Sequence, residues 1–169
     1  MQLSAKYQAV LEVITQVFQD KYPADNILKE YLRNRKYIGS KDRKFITNTV
    51  WDIIRHRSRL EFDCESSEPR MLLLTYLKDE DFDIIADGSE YGLKPLTKEE
   101  KYKLAHLRED VYPEYIEKEC PQWLYEKIDD AALAASLNTT APADVRANFI
   151  SREEAKNKLQ KEGLFFSFT

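Results

Sequence analysis

Four glycines in 169 residues are too few for the turns of an all-β fold, and the scarcity favours helices. Two cysteines, Cys64 and Cys120, exclude a disulfide framework and lack the clustering of a zinc site. Their scarcity fits a reduced, cytoplasmic setting. No run of apolar residues is long enough for a membrane span, and Lys6 and Glu12 interrupt the first apolar pattern, which excludes a signal peptide as well. Only two histidines occur, His56 and His106, with no triad pattern around either. There is no glycine-rich phosphate loop and no dinucleotide fingerprint. Asp79, Glu80, Asp81 and Asp83 lack calcium-loop spacing and read as a solvated acidic loop. The sequence thus offers no catalytic constellation, no cofactor site and no metal site of its own.

What is present is helical periodicity. Leu3, Tyr7, Val10, Leu11, Ile14, Val17 and Phe18 share one face of an amphipathic helix that Tyr22-Pro23 interrupts. Ile27, Leu28, Tyr31 and Leu32 mark a shorter helix ending near Arg35. Gly39 stops it and Ser40 is placed to cap the next, whose face carries Phe45, Ile46, Thr49, Val50, Ile53 and Ile54. Pro69 opens a helix apolar nearly all round, from Met71 to Leu77, which should therefore be central. A short helix is expected at Phe82–Ala86, and Thr97 with Glu100 predicts a capping box for a helix to about Glu109. Further helices are expected at Glu114–Glu119 and from Pro121 to about Leu137. The core is expected to include Leu11, Ile14, Phe18, Leu28, Val50, Ile54, Leu73, Leu74 and Leu77, with Trp51 and Trp123 on apolar faces.

The pattern changes after Leu137. Residues 138–142 read as a linker. Asp144–Ile150 reads as a strand, Ser151 and Glu154 as a capping box for a helix that Gly163 ends, and Leu164–Phe168 as a second strand. The expected organisation is an all-α bundle over 1–137, the linker, and a short β-α-β segment over 143–169.

Charge is divided unevenly along the chain, although the formal net charge is only −4. From Lys29 to Arg59 ten basic residues face three acidic ones, whereas from Leu60 to Asp130 twenty acidic residues face nine basic ones. Arg33, Arg35 and Lys36 end one expected helix, and Lys41, Arg43 and Lys44 begin the next. Across a short turn they form a positive corner able to meet several phosphates. Arg55, Arg57 and Arg59 add a second group, and Tyr37 is a candidate for stacking on a base. A solvated surface is the alternative, since cations favour helix C-termini. Lys41 and Lys44 oppose the dipole at a helix N-terminus, which argues for service to a partner. Arg43 suits either a phosphate or an ion pair with Asp42.

Three blocks, in order, carry a family resemblance. Tyr37-Ile38-Gly39-Ser40-Lys41-Asp42-Arg43-Lys44-Phe45-Ile46 is followed by Val50-Trp51-Asp52-Ile53-Ile54-Arg55; then come Cys120-Pro121-Gln122-Trp123-Leu124 and Ala141-Pro142-Ala143-Asp144-Val145-Arg146-Ala147-Asn148. Ser151-Arg152-Glu153-Glu154 and Leu159 to Gly163 continue the last. Their succession resembles the N-terminal half of the RsmB/Sun (Fmu) ribosomal RNA cytosine-5 methyltransferases, whose first domain is NusB-like. The resemblance implies a NusB-like RNA-binding bundle, with Arg146 and Asn148 added to the RNA-facing residues and ribosomal RNA as partner. It implies S-adenosylmethionine as cofactor of a full-length parent, whose cofactor-binding sheet and catalytic cysteines would lie beyond the matched region. Cys120-Pro121 reverses the family's Pro-Cys dipeptide and inherits no role. The chain is therefore expected to be the RNA-recognition front end of such an enzyme, without its catalytic domain. The alternatives are a stand-alone NusB-like RNA-binding or antitermination protein, and a protein-interaction module using the acidic half.

Overall fold

In a computed structural model, residues 1–108, 110–128, 130–139 and 146–163 are described, and all regular structure among them is helical. The chain divides into two compact units, Met1–Asn138 and Thr139–Thr169. Among the described residues no helix is long and apolar enough to cross a membrane.

The first unit holds α1 (Leu3–Gln19), α2 (Ala24–Asn34), α3 (Ser40–Arg55), α4 (Arg57–Cys64), α5 (Pro69–Tyr76), α6 (Phe82–Ile85), α7 (Lys98–Ala105), α8 (Glu114–Glu117), α9 (Gln122–Ile128) and α10 (Ala131–Leu137). Helix α5 is the hub, packing against α1, α3, α4 and α7. That is why it is apolar all round: Met71, Leu72, Leu73, Leu74 and Thr75 are all buried. Val10, Val13 and Ile14 of α1 and Ile46, Val50 and Ile53 of α3 close the core around it, each 0% exposed. Tyr7 and Phe45 meet edge to face across α1 and α3, ring centroids 5.4 Å apart. Of the expected core, Leu11, Phe18 and Ile54 pack on its rim, half-buried, and the rest lie inside.

Four local expectations need correction. Helix α3 begins at Ser40, so Gly39 and not Ser40 takes the cap position, without a side-chain bond. Helix α4 was not foreseen; it follows a break at His56. The expected helix from Pro121 to Leu137 is two helices, because the Asp130 carboxylate accepts from the backbone N–H groups of Ala132 and Leu133 and starts α10. Trp123 is 62% exposed: α9 packs chiefly along α8 and α10, which leaves that side of its apolar face uncovered.

Arg70 fastens α5 to α7. Its guanidinium donates to Glu100 from Nε (2.6 Å) and Nη2 (3.3 Å) and to the Lys94 carbonyl (2.9 Å). Glu100 also completes the expected capping box, accepting from the Thr97 N–H at 2.8 Å. Burial raises the Glu100 carboxyl pKa, but Arg70 and Thr97 outweigh it and hold it below the usual carboxylate range. A depressed pKa stabilises the fold above the unfolded value, about 4.3, and that stabilisation is lost as pH falls through the lower folded value. Glu100→Gln is expected to cost about 1–2 kcal/mol at pH 7. The gap to wild type should narrow in denaturant melts as pH drops below 4; an unchanged gap would assign the loss to something other than this charge.

In the second unit α11 (Arg152–Lys161) forms as expected, with both bonds of the Ser151/Glu154 capping box present and Gly163 at positive φ after it. The β-α-β segment is not found: among the described residues there is no strand. Arg146–Ile150, the described part of the first expected strand, is irregular and bent. Phe149 there is 98% exposed. An apolar alternation makes a strand only where a neighbour pairs with its backbone. The second expected strand, Leu164–Phe168, lies outside the described residues, as do residues 140–142 of the expected linker.

Candidate nucleic-acid interface

The turn between α2 and α3 is held from both ends. Ile38, 2% exposed, plugs it into the core. The Arg43 side chain reaches back from α3, Nε donating to the Ile38 carbonyl (2.8 Å) and Nη2 to the Arg35 carbonyl (3.2 Å). Arg43 is thus spent on the backbone of the turn, joining the Ile38 N–H on the Arg35 carbonyl. It does not pair with Asp42. That carboxylate takes the Met1 ammonium at 2.9 Å and Lys6 at 3.1 Å, whose hydrogen bonds lower its pKa.

Arg35 is also engaged within the fold. It lies flat over the Tyr31 ring, 3.6 Å from the centroid, and donates to Glu12 at 3.2 Å. The Tyr31 hydroxyl donates to the same carboxylate oxygen at 2.7 Å. Burial, then the Glu12 bond, pushes the Tyr31 phenol well above its ordinary range, so it stays a neutral donor.

Arg33, Lys36, Lys41 and Lys44 differ from these two. All four are exposed, and among the described residues none of them makes an ion pair or side-chain hydrogen bond. Tyr37, 73% exposed, stands at the same turn. The corner that the structure assembles is therefore four free cations and one open aromatic ring on a turn fixed by Ile38 and Arg43.

The second basic group is neutralised. Arg55 meets Asp52 at 3.3 Å, Arg57 meets Glu61 at 2.8 Å over the Phe18 ring, and Arg59 meets Glu119 at 3.4 Å beside Tyr112. His56, at the α3–α4 break, meets the other Glu119 oxygen at 2.7 Å. Asn138, the first residue of the expected linker, donates to the Arg55 and Glu119 carbonyls and pins α10 to this cluster. Arg146 and Asn148 are exposed on the irregular stretch of the second unit.

Beside the corner is a cleft of about 940 Å³, bordered by α1, the α2–α3 turn and the loop at 89–94. Glu12, Tyr31, Arg35 and Tyr37 line one part, Tyr91 and Lys94 another. Sequence reasoning missed Tyr91 and Lys94, because their segment reads as an acidic loop.

Neither cysteine is poised for chemistry as a thiolate nucleophile at the surface: both are buried, and burial pushes the Cys64 thiol up. No group of three potential metal ligands converges among the described residues. Two of the four glycines are closely packed. Space beside Gly92 is filled by Ser4, Ser89 and Asp87, and beside Gly88 by Pro95. No family model, curated protein or solved structure matches the chain.

Proposed function

We propose that the first unit binds structured RNA through the α2–α3 corner, as the NusB-like targeting region of an S-adenosylmethionine-dependent ribosomal RNA cytosine-5 methyltransferase of the RsmB/Sun type, working in the cytoplasm. The observation that carries this reading is the contrast in pairing. Six of the ten basic residues in the Lys29–Arg59 stretch, Lys29 on Asp25 among them, are held by the fold's own carboxylates or carbonyls, while Arg33, Lys36, Lys41 and Lys44 stay free around one turn. Free cations release counterions from phosphate; paired ones must first give up a partner. Lys41 sits in the first turn of α3 and Lys44 just past it, near the helix end where a positive charge opposes the dipole, so folding alone gives no reason for them. The family part of the proposal rests on the three sequence blocks. Methyl transfer belongs to the cofactor and cysteines that the resemblance places elsewhere, and no step of it is assigned to these residues.

Four phosphate contacts give log K a slope of about −3 to −4 against log salt. The variant with Arg33, Lys36, Lys41 and Lys44 all changed to Ala is expected to lose most RNA affinity, for every sequence alike, and to flatten that slope. It should melt within a few degrees of wild type, since no folded partner is removed. Wild-type affinity in this variant would leave the corner a solvated face and shift the reading to protein interaction.

A further inference from the structure

We infer that the cleft beside the corner receives an unpaired RNA base, stacked on Tyr91 or Tyr37, with Lys94 and the corner cations on the flanking phosphates. This rests on the reading of the first unit as an RNA binder. Its volume, about 940 Å³, lies within the range of ligand-binding clefts, roughly 300–1,000 Å³.

Tyr37 and Tyr91 both border it, and each leaves 73% of its surface in water. An aromatic ring so exposed contributes little to the fold, but it offers a face on which any base can stack. Both rings stand on backbone that is already fixed. Tyr37 lies within the turn that Arg43 fastens. Tyr91 lies in a loop latched to α1: the Leu93 N–H donates to the buried Ser4 hydroxyl at 3.0 Å, and Gly92 packs tightly against Ser4, Ser89 and Asp87. A platform already in place loses little entropy when a base arrives.

The charges lining the cleft are compatible with RNA. The Glu12 carboxylate is screened by Arg35 and occupied by donors from Tyr31 and Gln8. The exposed Glu90 leaves an acceptor for the amino group of a base. Lys94 and the adjoining corner supply positive charge for the backbone. A duplex has no unstacked base to offer, so the cleft distinguishes unpaired from fully paired RNA.

The test measures fluorescence anisotropy of the full chain with two labelled RNAs, an unpaired 10-mer and a blunt duplex of the same sequence. Tyr91→Ala and Tyr37→Ala together are expected to weaken the unpaired RNA about 5- to 100-fold with an unchanged melting temperature, and Tyr91→Ala alone to leave duplex affinity at the wild-type level. Tyr91→Phe with Tyr37→Phe, which keeps the rings, should restore wild-type affinity. If the alanine pair binds unpaired RNA like wild type while the four-cation variant does not, the cleft proposal falls and the corner stands. If the wild-type chain binds neither RNA, the RNA reading falls and takes the cleft with it.

Discussion

Leu73→Ala is expected to destabilise the first unit by about 2–5 kcal/mol. Leu73 is 0% exposed, as are Leu72 and Leu74 on either side, and α5 is enclosed by α1, α3, α4 and α7. Truncation removes three carbons from a site walled by other helices, so the neighbours can collapse only in part. The loss then includes a cavity as well as the transfer term. Urea melts should show a lower midpoint with an unchanged m-value, the sign of altered stability without altered compactness. Leu137→Ala is the control: its side chain is 56% exposed, and its removal should cost under about 0.5 kcal/mol. If Leu73→Ala costs as little as Leu137→Ala, α5 is not the centre of the bundle.

The centrality of α5 could be read from the sequence because a helix apolar on every side has nowhere else to go. Helix α4 could not be read so easily. Its buried residues are Leu60, Asp63 and Cys64, a thin stripe in a charged segment, and only the i, i+4 pair Leu60 and Cys64 hints at it. Trp123 shows the opposite error. An apolar face predicts burial only where another element exists to cover it, and α9 has too few neighbours. The Asp130 cap was legible, since Asp directly precedes the apolar run of α10, but continuous periodicity across it masked the break.

The same distinction governs the candidate site. Counting charges located the basic stretch but could not separate cations the fold consumes from those it leaves free. Asp25, Asp52 and Glu61 lie three or four positions from Lys29, Arg55 and Arg57, but other consuming partners are remote in sequence: Glu12 lies 23 residues before Arg35, and Glu119 lies beyond α8, far from Arg59 in the chain. Asp42, adjacent to Arg43, is taken by Met1 and Lys6 of the α1 end. Local pairing rules suffice for Lys29, Arg55 and Arg57 but fail for Arg35, Arg43 and Arg59, where packing brings in the partner. The cleft was illegible for a related reason. Tyr91 and Lys94 reach it only because Ser4, nearly ninety positions earlier, fixes their loop against α1.

Arg43→Ala is expected to cost about 1.5–3 kcal/mol, the range for hydrogen bonds made by a charged donor. Nε and Nη2 bind the carbonyls of Ile38, just before α3, and Arg35, at the end of α2, so one side chain ties both ends of the turn together. Lysine cannot replace the fork, because a single ammonium does not span two carbonyls with the same geometry, so Arg43→Lys should recover only part of the loss. RNA affinity should also fall in Arg43→Ala, since a loosened turn no longer holds Lys36, Tyr37 and Lys41 in place. The salt dependence separates this from a lost phosphate contact. Lys36→Ala should reduce the slope of log K against log salt by about 0.7–0.9 and leave the melting temperature near wild type. Arg43→Ala should do the reverse, lowering the melting temperature while the slope, measured well below it, stays put. A normal melt with a flatter slope would move Arg43 from the scaffold of the corner to its RNA-facing surface.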